Sequence, residues 1–61
     1  MNDLLTEEQA AERLTVKVGT LRDWRVDKKG PPFVKLVGTL RYRAQDIDQW
    51  VEEQVIRHGE S

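Results

Sequence analysis

Apolar side chains recur at helical spacing near the start of the chain. Ala10 and Leu14 lie about one helical turn apart, and acidic residues precede them. Thr6 and Gln9 form a Thr-x-x-Gln capping box, in which each side chain accepts a hydrogen bond from the backbone of the other residue. This pattern predicts a first helix over about residues 7–14.

A second apolar stripe follows after a connection of only a few residues. Val18, Leu21 and Trp24 recur at every third position and predict a helix from residue 18 to residue 25 or 26. Two short helices joined by so brief a turn form a helix-turn-helix. The polar residues of the second helix lie largely off the stripe, on a face that DNA-binding proteins of this kind place in the major groove.

The third apolar stripe lies near the end of the chain and also has helical spacing. Its members are Ile47, Trp50, Val51 and Val55. This spacing predicts a helix that begins near Ala44, turns the stripe inward and frays near Arg57. Residues 57–61 are then a loose tail outside a core of about residues 4–56.

Between the second and third helices, the pattern becomes typical of a β-hairpin. Gly30-Pro31-Pro32 ends the helix, and two segments rich in strand-forming residues, 33–37 and 40–43, flank Gly38-Thr39. An isolated hairpin is unstable in water, so we expect it to pack against the helices. The side chains predicted to do so are Phe33, Leu36 and Tyr42. A basic hairpin behind a helix-turn-helix is a wing.

These elements predict one domain over residues 1–61, mainly α with a small β-hairpin, arranged as a winged helix-turn-helix. The chain has 61 residues and no cysteine, which excludes a disulfide framework and a thiolate metal site. His58 has no second metal ligand nearby, and a fold of this size hardly encloses a substrate cavity. We therefore expect no enzymatic activity, no cofactor and no small-molecule ligand.

Hydropathy and charge limit the kinds of partner that we expect the chain to bind. No apolar run approaches the roughly 18 residues of a membrane span and no signal peptide is recognisable, so we expect no membrane partner. The net charge of −1 conceals a basic block, because residues 17–43 hold eight Lys and Arg against two Asp. Such a block between acidic ends favours a face that meets a polyanion, although ordinary solvated charges explain it equally well.

Six short motifs follow one another along the chain. They are Leu4-Leu5-Thr6-x-Glu8-x-Ala10-Ala11-x-x-Leu14-x-Val16, Thr20-Leu21-Arg22-x-Trp24-Arg25, Gly30-Pro31-Pro32-Phe33-Val34-Lys35-Leu36, Gly38, Arg41-Tyr42-Arg43 and Asp46-Ile47-x-x-Trp50-Val51. In this order they resemble the MerR-like, excisionase-type winged helix-turn-helix domains over roughly residues 4–52. No single motif is decisive, but the ordered set is specific.

The resemblance implies sequence-specific binding to double-stranded DNA, with the second helix in the major groove and the wing on the adjacent minor groove or the backbone. Phage excisionases of this group, or recombination directionality factors, bind neighbouring sites head to tail, bend DNA and direct an integrase (a tyrosine or serine recombinase) towards excision. We expect a monomer that assembles along DNA in the cytoplasm of a bacterial host. The short stretch after the third helix favours a stand-alone excisionase or a minimal phage regulator.

Two other functions fit the same residues. A small phage or prophage transcriptional regulator would make the same DNA contacts at a promoter. A protein-interaction module would turn the basic face to an acidic partner. The second alternative gains weight from the net charge of −1 and from Asp23, which stands where the family commonly has a basic residue.

The chain departs from the family pattern at four further positions. Thr15 replaces the usual glycine of the turn, Lys17 replaces the Ser or Thr cap of the second helix, and Thr39 replaces a frequent arginine at the wing tip. Gly19 weakens the second helix by roughly 1 kcal/mol relative to alanine. These departures bear on the strength and base preference of DNA binding rather than on the fold.

Ten residues are predicted to contact DNA: Lys17, Thr20, Arg22, Asp23, Arg25, Lys28, Lys29, Lys35, Arg41 and Arg43. Arg22 is the favoured base reader, because an arginine in the groove holds guanine bidentately, with phosphate as its other target. Thr20 contacts a base or only covers the helix surface. Asp23 accepts a hydrogen bond from cytosine or pairs within the helix. Lys17 and Arg25 lie at the helix ends and favour phosphate.

The remaining predicted contacts lie in and before the wing. Lys28-Lys29 is expected to follow the phosphate backbone. Arg41 and Arg43 share a strand parity opposite to that of Tyr42, so both face outward if the tyrosine faces the core. Lys35 is expected to join them from the partner strand. A wing arginine in the minor groove would recognise groove width more than bases.

Overall fold

The computed structural model describes residues 3–56 and contains three helices and three short strands within them. In chain order these are β1 (Leu4–Leu5), α1 (Glu7–Leu14), α2 (Val18–Val26), β2 (Val34–Leu36), β3 (Thr39–Arg43) and α3 (Ala44–Glu53). The predicted bounds of the first two helices and the predicted start of the third are confirmed. The predicted tail over residues 57–61 lies outside the described residues. The expectation that the third helix continues to a frayed end near Arg57 was wrong, because α3 ends at Glu53, where the Gln54 N–H donates to the Val51 carbonyl in a tighter turn.

The three strands form one small antiparallel sheet in the order β1-β3-β2. The β2–β3 hairpin is the predicted wing, and β1 lies on the other side of β3 with Leu5 opposite Tyr42. The Ala44 N–H extends this pairing by donating to the Asp3 carbonyl at 2.8 Å. Together with the helices, the sheet makes the winged helix-turn-helix that the sequence predicts.

Interactions and conformations of near neighbours define both ends of helix α1. At its start, the Gln9 N–H donates to Thr6 Oγ1 at 3.1 Å and the Thr6 N–H donates to Gln9 Oε1 at 2.9 Å, which confirms the capping box. At its end, Thr15 has a φ of 61°, a left-handed conformation that β-branched residues adopt only at a cost. The chain enters α2 at Lys17, whose side chain makes no capping bond.

The core lies where the three helices meet β3. Its buried side chains are Ala10, Ala11, Leu21, Tyr42 and Ile47. The small alanines on α1 allow neighbouring elements to approach closely, and the larger side chains fill the space between them. Trp24 of α2 also packs on Trp50 of α3, with the ring centroids 5.6 Å apart. Apolar contacts thereby help to hold the second helix on its inner side.

Part of the predicted apolar packing of the third helix was wrong. Val51 and Val55 do not turn inward with Ile47, because they are 43% and 46% exposed. Helix α3 ends at Glu53, so Val55 lies beyond it. Val51 lies at the edge of the apolar stripe, where its side chain meets solvent.

Only one of the three side chains predicted to pack the hairpin on the helices is buried. Tyr42 fills the core, whereas Phe33 and Leu36 are 42% and 38% exposed, since β2 and the residues before it lie at the edge of the sheet. Phe33 instead contacts the Tyr42 ring, at a centroid distance of 6.1 Å. The turn also differs from the prediction: it is Val37-Gly38, whose glycine has a φ of 70°, and Thr39 already belongs to β3.

Candidate nucleic-acid interface

One face of α2 is open to solvent along the length of the helix. Four exposed residues at helical positions i, i+3, i+4 and i+7 form this outer face of α2: Gly19, Arg22, Asp23 and Val26. Leu21, on the other side of the helix, is fully buried. Because the charges of Arg22 and Asp23 cancel, the outer face is less basic than the charge of residues 17–43 suggested.

The other predicted contacts of the second helix lie beside the outer face. Lys17 is exposed at the start of the helix, whereas Thr20 is half-buried. The Arg25 side chain is only 22% exposed. Within residues 3–56, Asp23 forms no ion pair, so the structure does not show the intrahelical pairing proposed for it. Of the predicted contacts in this region, Lys17, Arg22 and Asp23 are therefore exposed to solvent. Thr20 and Arg25 are partly buried.

A carboxylate that sequence reasoning missed connects the two arginines of α2. Glu7 Oε1 accepts a hydrogen bond from Arg22 Nε at 2.8 Å and another from Arg25 Nη1 at 3.2 Å. Glu7 lies in the first turn of α1, and its side chain is 23% exposed. It is 15 residues from Arg22 in the chain, so no local spacing pointed to the contact.

These contacts shift the titration of both partners. The Arg22 guanidinium, which donates to Glu7, holds the pKa of that carboxyl below its ordinary value of 4.5. Partial burial opposes this shift, and the hydrogen bond from Arg25 adds to it. Glu7 in turn raises the pKa of Arg22. The carboxylate is therefore ionised at neutral pH and fixes the direction of the Arg22 side chain.

Arg25 is held within a cluster of side chains between α2 and the wing. Its Nη1 also donates to the Tyr42 hydroxyl at 3.5 Å, and its guanidinium carbon lies 5.9 Å from the centroid of the Phe33 ring. These contacts position α2 against the hairpin. The phosphate contact expected of Arg25 stays a prediction, and it would compete with partners that this side chain already has.

The wing carries its cations on two different faces. Arg41 and Arg43 flank the buried Tyr42 and lie on the face away from it, as predicted. Lys35 does not join them, and that expectation was wrong. It pairs with Leu40, and directly opposite residues of an antiparallel pair share a face, so Lys35 lies on the side of Leu40 and Tyr42.

Both wing arginines already bind nearby oxygen atoms. Arg41 Nη1 donates to Thr39 Oγ1 at 2.8 Å and to the Leu40 carbonyl at 2.7 Å, so its side chain folds back along β3. Arg43 Nε donates to Asp46 Oδ2 at 2.6 Å, and the Arg43 side chain is half exposed. Arg43 is therefore the more accessible of the two arginines in the wing.

The two lysines after α2 occupy an exposed turn. Lys28 has a φ of 59°, and the Lys29 N–H donates to the Trp24 carbonyl at 2.8 Å. Gly30 then lies against the same tryptophan, where an added Cβ would be 3.1 Å from Trp24 Cβ. This close approach fixes the path of the backbone and leaves both lysine side chains at the surface between α2 and the wing.

Neither a metal cluster nor a membrane span occurs in the described part of the chain. Residues 3–56 contain no group of three His, Cys, Asp or Glu side chains arranged to hold a metal ion. Over the same residues, no helix combines the length and the apolar character that crossing a bilayer requires.

The structure is that of a winged helix-turn-helix protein: it has a helix pair joined by a short turn, and a wing behind it. The outer face of α2 is open. The family of helix-turn-helix domains matches residues 4–55, which include every described helix and strand. The chain belongs to this family. No curated protein matches the chain. Membership of the family indicates that the protein binds DNA.

Proposed function

We propose that the protein is a sequence-specific DNA-binding protein of the excisionase type. It places α2 in the major groove and the wing on the adjacent minor groove or the backbone. It binds tandem sites, bends the DNA between them and directs an integrase, a tyrosine or serine recombinase, towards excision. It acts in the bacterial cytoplasm by binding alone, without a catalytic step of its own.

The outer face of α2, with Arg22 held in place on it, is the observation that carries the proposal. Arg22 uses its Nε–H to bind Glu7, so both Nη groups are available to donate to O6 and N7 of a guanine. Because Glu7 fixes the guanidinium before DNA arrives, less side-chain freedom is lost on binding. A preoriented arginine on an open helix face is suited to reading a base edge.

Exposed cations on α2 and on the elements that follow it supply the contacts to phosphate. They lie at the start of α2, in the turn after it and in the wing: Lys17, Lys28, Lys29, Lys35 and Arg43. Phosphate contacts fix the register of a protein on the duplex, whereas base contacts carry the sequence preference. The chain thus offers both kinds of contact on neighbouring elements.

A protein-interaction module is the second candidate, since Arg22 and Asp23 cancel on the outer face. Salt dependence separates the two candidates. If five to eight phosphates are contacted, the log–log slope of affinity against salt concentration is about −4.5 to −7. A partner with a few surface carboxylates gives a much weaker dependence, because no condensed counterions are released.

The test is a gel-shift titration with a fragment that carries candidate attachment-site repeats and with a scrambled fragment, at two salt concentrations. Circularly permuted fragments report bending in the same gels. We expect stepwise shifts and bending on the repeat fragment alone. Equal weak binding to both fragments, lost at moderate salt, would overturn sequence-specific binding.

Recombination then separates an excisionase from a transcriptional regulator. Addition of the protein to its integrase and an attachment-site substrate is expected to raise excision and to suppress integration. Specific binding and bending without any change in the direction of recombination would contradict the excisionase assignment and favour the regulator.

A further inference from the structure

The described residues contain three glycines, and the fold explains two of them. Gly38 has a φ of 70° in the wing turn, a conformation that favours glycine. Gly30 lies against Trp24, where a Cβ would come within 3.1 Å of the tryptophan Cβ. Gly19 is different: it has no positive φ, and a Cβ added there would meet nothing within 4 Å.

A glycine without a structural reason is unexpected at this position. Gly19 lies in α2 and is exposed, and glycine is a poor helix former because it loses more backbone freedom than any other residue. Alanine would fit the same space in the free protein and would favour the helix. The fold of the single chain thus offers no benefit that offsets the cost of the glycine.

The position of Gly19 on α2 suggests a role for the missing side chain in binding. With 3.6 residues per turn, Gly19 and Val26 lie almost in line along the middle of the outer face, and Arg22 and Asp23 lie on either side. A DNA surface laid against this face comes closest to the helix axis along that middle line. A side chain at residue 19 would stand in the space between the helix backbone and the DNA.

We propose that Gly19 is an affinity- and specificity-determining residue, which allows double-stranded DNA to approach the main chain of α2 more closely than any Cβ would permit. This inference rests on the proposed DNA binding and adds a contact that needs no side chain. Close approach at Gly19 brings the Arg22 guanidinium, held by Glu7, to the depth in the groove at which it reaches a base edge.

The test compares two properties of the same variants, thermal stability and DNA affinity. Gly19→Ala is expected to raise Tm by a few degrees, because alanine favours the helix and meets no atom. The same variant is expected to bind the specific fragment at least fivefold more weakly, and Gly19→Leu more weakly still. Gln49→Ala, an uncharged change on the exposed surface of α3, is the control and should leave DNA affinity unchanged.

The opposite signs of the two effects distinguish this inference from a structural role. A raised Tm with unchanged affinity for the specific fragment would overturn it, because the space over Gly19 would then be free in the complex. A lowered Tm for Gly19→Ala would also overturn it, since the fold itself would then need the glycine. Failure of the unaltered protein to bind either fragment would instead refute the proposed function, and this inference with it.

Discussion

Within residues 3–56, arginine–carboxylate contacts join α1 to the other helices at two places, and their surroundings differ. Arg13 and Asp48 connect α1 to α3 through two hydrogen bonds, Nε to Oδ1 at 3.1 Å and Nη2 to Oδ2 at 2.9 Å. Their side chains are 44% and 62% exposed. Glu7 connects α1 to α2, is 23% exposed and holds two arginines at once.

The comparison indicates that the solvent exposure of an ion pair affects its contribution to stability more than the number of its hydrogen bonds does. By geometry alone, the bidentate Arg13–Asp48 contact is the stronger pair. Exposed ion pairs contribute little to stability, however, because water and salt screen them. Glu7 is screened less, and one of its partners lies on the helix face proposed to read DNA. The first contact joins two exposed helix surfaces, and the second orients a side chain on the face proposed to read DNA.

Removal of the arginine on the outer face is expected to have the largest effect. Arg22→Ala should lower the preference for the specific fragment over the scrambled one roughly 10- to 100-fold, because the proposed bidentate base contact would be lost. Arg13→Ala removes the same type of side chain from the other pair and should leave that preference unchanged. Fluorescence anisotropy with both fragments measures the ratio. An equal loss in the two variants would remove the distinction between the pairs.

Removal of the shared carboxylate is expected to have the next largest effect. Glu7→Ala should lower the free energy of unfolding by about 1–2 kcal/mol, since two arginines lose a charged acceptor and Arg25 is largely enclosed. Asp48→Ala should change it little, because both members of its pair are solvated. Urea denaturation followed by tryptophan fluorescence gives both values. A larger loss in the Asp48 variant would reverse the ranking of the two contacts.

The turn that sets α1 against α2 provides a third test. Thr15→Gly should raise the free energy of unfolding by about 1 kcal/mol, because glycine adopts the left-handed conformation at residue 15 without the steric cost that threonine bears. Thr20→Gly places the same substitution inside α2 and should be destabilising. Stabilisation by both substitutions, or by neither, would contradict this account of the turn.

The pH dependence of stability provides the smallest expected effect. Because the pKa of Glu7 is below 4.5 in the folded protein, the contact contributes stability above that pH and loses it as the pH falls through the lowered pKa. Unfolding between pH 7 and pH 3 should therefore be less acid-sensitive in Glu7→Gln than in the unaltered protein. Asp48→Asn removes a carboxyl whose pKa Arg13 also lowers, but both members of that pair are exposed and screened, so this variant should differ from the unaltered profile less than Glu7→Gln does. Identical profiles for the unaltered protein and Glu7→Gln would contradict the lowered pKa.

Local chemistry made the helices predictable from the sequence. The capping box at Thr6 and the three-residue spacing in α2 depend only on near neighbours, and both helices have the predicted bounds. The alternation around Tyr42 likewise gave the correct face for the two wing arginines. These features need no knowledge of how distant parts of the chain pair.

Pairing between distant residues accounts for what was missed. A two-residue strand such as β1 has no alternation of its own and exists only because β3 pairs with it. Register decides the face of Lys35, since a shift of one residue moves a side chain to the other side of a sheet. Glu7 came to the site through the packing of α1 on α2, which no spacing in the sequence reveals.

The most direct test of the account is an NMR titration of the labelled protein with a duplex that carries its site. We expect the backbone amide signals of Gly19, Arg22 and Asp23 to shift strongly, together with those of the wing. The signals of Arg13 and Asp48 should stay in place. Strong shifts confined to α3, with the outer face of α2 unaffected, would contradict the claim that α2 is the DNA-reading helix.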